Sequence, residues 1–152
     1  MTRLPRFLVA LLCLWAANTS LAETASMTVY KSPTCGCCTA WAEHINRAGV
    51  ATELHNRQDM HTIKTQLGIP NELQSCHTGT IDGYVFEGHV PAATIERFLA
   101  APPEGAYGLS VPGMPIGSPG MEMGERLDPY AVILLSKDGQ HRVYERITEL
   151  QP

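Results

Sequence analysis

Apolar and polar residues alternate along Met27–Lys31 (MTVYK), the pattern of a short strand with one buried face. Ser32-Pro33-Thr34 breaks that run. From Cys37 to Ala48 the apolar residues Ala40, Trp41, Ile45 and Ala48 recur at helical spacing, and Gly49 supplies a stop. Val50–His55 reads as a second strand. Asp59 stands where an N-cap belongs, which predicts a short helix through Leu67, ended by Gly68 and Pro70. Ile81–Glu87 is strand-like, with Asp82-Gly83 as a turn or bulge. Pro91–Ala100 predicts a helix with proline at its start and Ile95, Phe98 and Leu99 turned inward. Residues 101–129 read as one long Pro/Gly/Met loop, and loops of that length in small domains are usually functional. Tyr130–Ser136, Asp138-Gly139 and Gln140–Ile147 read as a β-hairpin.

The resulting order, β-α-β-α-β-β-α and then a hairpin, predicts an α/β fold. A strand, a cysteine-bearing turn and a helix at the start resemble a thioredoxin-like layout. Helix-containing crossovers pair strands in parallel and tight turns pair them antiparallel, so the expected sheet is mixed, with flanking helices and a C-terminal β-hairpin. Residues 23–152 then form a single domain. Residues 1–22 read as an address: Arg3 and Arg6 precede the apolar stretch Phe7–Ala17, and Ser20-Leu21-Ala22 offers a cleavage site before Glu23. This predicts export to the periplasm on a cleavable signal peptide. The alternative is an uncleaved anchor, for which the apolar stretch is short. Cys13 lies inside the signal and Leu12 precedes it, where a lipoprotein signal needs a small residue.

The formal net charge is −4, and removal of the leader would deepen it, because that segment holds two Arg and no acid. An acidic chain lacks the basic face that nucleic acid or an anionic membrane surface requires, so neither is expected as a partner after cleavage. Five Cys, six His and six Met in one small chain point instead to soft-metal or thiol chemistry.

The centre of that chemistry is Cys35-Gly36-Cys37-Cys38. Cys35 and Cys38 have C-x-x-C spacing at a strand-to-helix turn, where a helix N-terminus favours thiolate. Gly36 is expected to let the backbone turn tightly, so that several sulfurs face one point. A bridge between the neighbours Cys37 and Cys38 would be strained, so three thiols in four residues suit a shared metal better than pairing off. The competing reading is a structural disulfide framework, for example Cys35–Cys38 with Cys37–Cys76, although such frameworks spread their cysteines to close long loops. Cys76 would bring a fourth sulfur from the loop before the third strand. His77 beside it is a ligand, a supporting donor or a bystander. His89, ahead of the Pro91 helix, is a ligand or a backbone partner. His44, His55, His61 and His141 are scattered and read as solvated or structural. In the long loop, Met114, Met121 and Met123 offer thioethers, which bind Cu(I) without deprotonation; the plainer alternative is that they cap the core.

These residues resemble a family. Tyr30-Lys31-Ser32-Pro33-Thr34-Cys35-Gly36-Cys37-Cys38, Ser75-Cys76-His77-Thr78, Gly83-Tyr84, Glu87-Gly88-His89-Val90-Pro91 and the run from Val111-Pro112-Gly113-Met114-Pro115 to Gly120-Met121-Glu122 are similar to the periplasmic copper-resistance proteins called CopG. The resemblance spans the chain from about Met27 to the final hairpin. It implies a thioredoxin-like fold and a copper centre on Cys35, Cys37, Cys38 and Cys76, with Met114 and Met121 at the family's methionine positions. Met123 lies beyond the securely matched part.

Together these readings predict an exported protein holding Cu(I) on thiolates, as a multi-copper cluster or a simpler site, and contributing to copper resistance. Four thiolates carry four negative charges, which two or more Cu(I) ions would largely offset. Partners would be copper ions and other periplasmic copper-handling proteins. Whether the site also turns over, as a copper oxidoreductase, is open at this level. So are a metal-independent thiol–disulfide oxidoreductase working through Cys35 and Cys38, and a non-catalytic chaperone or buffer.

Overall fold

The computed structural model describes residues 26–151. Residues 1–22, expected from the sequence to be a leader, lie outside the described residues. Seven strands and three α-helices follow in the order β1 (Met27–Lys31), α1 (Gly36–Arg47), β2 (Thr52–Asn56), α2 (Met60–Gln66), β3 (His77–Ile81), β4 (Tyr84–Glu87), α3 (Ala92–Ala100), β5 (Ala106–Ser110), β6 (Tyr130–Ser136) and β7 (Arg142–Ile147), with a single 3-10 turn at Asn71–Leu73 before β3. The strands form one mixed sheet in the order β2-β1-β3-β4-β5-β6-β7. β1 pairs in parallel with β2 and β4 with β5, and the remaining neighbours are antiparallel. The β2-β1-β3-β4 half with its helices is the thioredoxin-like part, and β5, β6 and β7 widen it on the β4 side.

Side-chain alternation along the strands divides the core into two layers. Phe86 and Leu134 join Met27, Val29, Trp41, Ile45, Ile95 and Phe98 in the larger cluster, so α1 and α3 cover one face. Their sequence neighbours Val85 and Leu135 point the other way, onto Ile69, Leu67 and Leu73, so the segment from α2 to the 3-10 turn covers the opposite face. Glu87 shares the parity of Val85 and faces α2. His77 shares the parity of Ile81 and lies against Trp41 of α1, with ring centroids 4.3 Å apart. Trp41 is fully buried and donates its indole N–H to the Val90 carbonyl at 2.8 Å, tying α1 to the segment that carries His89.

Three expectations need correction. The strand-like run begins before Ile81, because His77–Ile81 already forms β3; the Asp82-Gly83 turn expected within it leads into β4, and both its residues have positive φ (51° and 78°), the twist a two-residue hairpin needs. The segment 101–129 is not all loop, because Ala106–Ser110 forms β5. Gly108 hid that strand, since glycine reads as a breaker. Here it marks a close backbone approach: a Cβ at Gly108 would lie 1.9 Å from the Val85 carbonyl oxygen. Asp59 does occupy the N-cap of α2, but its carboxylate bonds the Arg57 guanidinium rather than the helix.

Candidate metal centre

The β1–α1 turn and the loop before β3 meet at one end of the sheet. Cys35 is the N-cap of α1 and makes no side-chain capping bond, so Cys37 and Cys38 fall in the helix's first turn. Cys38 is fully buried, whereas Cys35, Cys37 and Cys76 are partly open. The sulfurs of Cys35, Cys37, Cys38 and Cys76 all lie within 4.8 Å of one another. Cys37 Sγ is 3.5 Å from Cys35 Sγ and 4.0 Å from Cys76 Sγ. Cys35 and Cys38 are joined as a disulfide, while Cys37 and Cys76 are free. Half of the disulfide framework considered from the sequence is therefore present and half is not. Gly36 departs from expectation: it is the first helical residue, its φ is not positive, and a Cβ there would meet nothing within 4 Å. The helix start, not a glycine turn, converges the sulfurs.

Cys76 is shared with a second group of donors. Its Sγ lies 3.2 Å from His77 Nδ1 and 3.1 Å from His89 Nε2, and both histidines are fully buried. The His89 Nδ1 stands 2.8 Å from the Pro119 carbonyl oxygen, which can only accept, so that nitrogen carries the proton and Nε2 presents its lone pair toward Cys76. His77 Nε2 is buried with no hydrogen-bond partner. Burial pushes both imidazoles below the ordinary histidine value, His77 well below it, with His89 and Lys64 adding to the effect there. Both rings are thus neutral, the form that binds metal. Burial, with the Cys37 thiol beside it, pushes the Cys76 thiol up to about 12. The free thiol therefore stays protonated at neutral pH, and a bound cation would release that proton. Soft sulfur, neutral imidazole and an orphaned buried nitrogen together fit a soft metal ion.

The long loop wraps this corner. Gly113 accepts from the Ser75 hydroxyl and donates its N–H to the Gln74 carbonyl at 3.2 Å, so Met114 follows an anchor on the Cys76 loop. Gly120, with φ of +85°, packs so closely on α1 that a Cβ there would lie 2.6 Å from the Cys37 carbonyl oxygen, and Met121 follows it. Met121 is half-buried, whereas Met114 and Met123 are 53% and 61% exposed, so those two do not plug the core. Met123 forms a two-residue bridge with Arg126. Of the scattered histidines, His44 is buried and structural, its Nε2 accepting from the Ala92 N–H at 3.0 Å. His61 is exposed; His55 pairs with Glu53, and His141 accepts from the Ser136 N–H.

Sequence reasoning missed the groups beneath Cys76. Lys64 and Glu87, 4% and 0% exposed, form a buried ion pair, and Glu87 also accepts from the Ser75 N–H at 2.6 Å. A charged residue at the close of the apolar run Tyr84–Phe86, and another beside Ile63 on the α2 face, were the available signals.

No curated protein sequence matches the chain. A family model described as a protein of unknown function, DUF411, matches residues 73–121, the span from the Cys76 loop to Met121. Two solved structures of copper resistance protein CopG, Form 1 and Form 2, are 43% and 42% identical to the chain. Each covers 82% of this chain, the match spans 98% and 99% of those proteins, and both TM-scores are 0.78. The seven-stranded mixed sheet with its three helices is the architecture of those structures, and the chain belongs to the CopG family of copper resistance proteins.

Proposed function

We propose that this chain is an exported copper-binding protein that holds Cu(I) on Cys35, Cys37, Cys38 and Cys76 and contributes to copper resistance. The observation that carries the reading is the convergence of four sulfurs within 4.8 Å, one of them from a loop 38 positions away in the sequence. Thiolates at that spacing can bridge ions, which supports a multinuclear site. His77 and His89 add neutral nitrogen donors at Cys76, and Met114, Met121 and Met123 would line the approach. The family's copper-resistance role supports copper over zinc, which the same thiolates would accept. Export to the periplasm rests on the reading of residues 1–22, with 23–152 as the mature domain. Among the described residues no helix is long and apolar enough to cross a membrane. The expected partners are copper ions and other periplasmic copper-handling proteins.

The Cys35–Cys38 disulfide favours a second, redox reading of the same site. Two thiols closing to that disulfide give up two electrons and two protons. Two Cu(II) ions would each take one electron to become Cu(I). Loading and thiol oxidation would then be coupled, the Cu(I) formed would be left to Cys37, Cys76, His77 and His89 until the disulfide is reduced again, and the protein would act as a copper oxidoreductase.

The test is copper content after anaerobic, reducing purification with copper, wild type against Cys37→Ser. Loss of most bound copper in the variant is expected, because Cys37 stands between Cys35 and Cys76. Undiminished copper would refute the shared-thiolate site. Insulin reduction by strictly metal-free protein, dependent on Cys35 and Cys38, would favour the metal-independent oxidoreductase instead.

A further inference from the structure

Beneath the sulfur cluster, on the opposite face of the sheet from α1, lies a closed polar network outside the two donor groups described above. Lys64 Nζ pairs with the Glu87 carboxylate and donates to Thr78 Oγ1 at 3.0 Å; Thr78 in turn donates to the second Glu87 oxygen at 2.6 Å. All three side chains are buried. Burying two charges is costly, and an apolar pair of similar size often serves stability as well or better. What an apolar pair cannot do is accept the remaining bond: the Ser75 backbone N–H donates to Glu87 Oε1 at 2.6 Å. Ser75 immediately precedes Cys76.

We propose that Glu87 is a positioning residue for the metal centre: charge-balanced by Lys64, it clamps the Ser75 amide and so fixes the Cys76 sulfur relative to Cys37. The surrounding contacts fit a clamp. The next residue, Gly88, has φ of +70°, and a Cβ there would lie 2.5 Å from both Ser75 Cβ and the Val111 carbonyl oxygen, so β4 is pressed against the loop it holds. The Ser75 hydroxyl continues the chain of bonds to Gly113. One carboxylate thus registers the loop carrying Cys76 and, through it, the anchor ahead of Met114. This inference rests on the copper-binding reading above for its function, but not for its geometry.

The test compares two uncharged double variants of the full chain. Lys64→Met with Glu87→Gln keeps an oxygen that can accept from Ser75, whereas Lys64→Met with Glu87→Leu removes it. Cu(I) affinity of the reduced protein is measured anaerobically against a chromophoric chelator, beside the denaturant midpoint. The Leu variant is expected to stay folded yet bind Cu(I) roughly 10–100-fold more weakly, the range for losing a group that orients a ligand. The Gln variant should stay near wild type. A folded Leu variant with wild-type affinity overturns the proposal, and so does a Gln variant as impaired as the Leu one. If the Leu variant does not fold, the Gln variant alone decides: retained affinity supports the clamp, and loss overturns it. Alkylation of Cys76 in metal-free protein gives a readout independent of copper. It should be slow in wild type and the Gln variant and roughly tenfold or more faster in a folded Leu variant. Failure of wild type to bind Cu(I) would therefore sink the copper reading while leaving the clamp to be judged by alkylation.

Discussion

Cys76 is the residue at which the two donor groups meet, and its surroundings explain why one sulfur can serve both. Held among Cys37, His77 and His89 and kept protonated by burial, it is a poor nucleophile but a ligand in waiting, since a cation supplies the charge that burial withholds. That its sulfur reaches the C-x-C-C turn was legible only through the fold pattern, because nothing local to Ser75-Cys76-His77 points toward Cys37. Gly36 shows the converse, a local inference that the structure overturns. Its helical backbone and the open space around it remove any geometric need for glycine, and alanine in a helix is favoured by about 0.5–1 kcal/mol. Gly36→Ala should therefore raise the denaturant midpoint slightly and leave copper content unchanged. Loss of copper in that variant would mean that the turn needs backbone freedom during loading.

At the scale of elements, periodicity located β1, α1, α3 and the final hairpin to within a residue or two, because each carries one buried stripe and ends at a clear breaker. β5 escaped for a reason particular to its place. Strand residues are recognised by what their side chains bury, and Gly108 buries nothing; it exists to let β4 approach. The sheet passes from its thioredoxin-like half to the β5–β7 extension across that contact, so its loss should be felt by both halves. Gly108→Ala would drive a methyl into the Val85 carbonyl, which two paired strands cannot both avoid. We expect a loss of about 3 kcal/mol or more in unfolding free energy, the upper range for overpacking. Gly139→Ala, a positive-φ turn position with nothing within 4 Å of a Cβ, serves as the comparison and should cost less. Equal stability of the two variants would show that β4 and β5 separate freely.

For the molecule as a whole, three buried neutral histidines join the elements around the site. His44 accepts the Ala92 N–H at the start of α3, His89 donates to Pro119 of the long loop, and His77 packs between Trp41 and His89. Burial holds all three below the ordinary value of 6.5, so the folded state binds protons less readily than the unfolded chain. As pH falls below about 6.5 the unfolded chain takes up protons first, and stability is lost; above that value the contribution is complete. The three shifts have the same sign, so their effects on stability add rather than cancel. His44 adds a geometric reason, because a protonated Nε2 cannot accept from Ala92. The metal-free protein should accordingly show a denaturant midpoint that drops steadily between pH 7 and pH 5. His44→Gln, which keeps an acceptor but cannot titrate, should flatten that dependence even if it lowers the midpoint overall. A flat profile in wild type would mean that burial does not hold these imidazoles below the value of the unfolded chain.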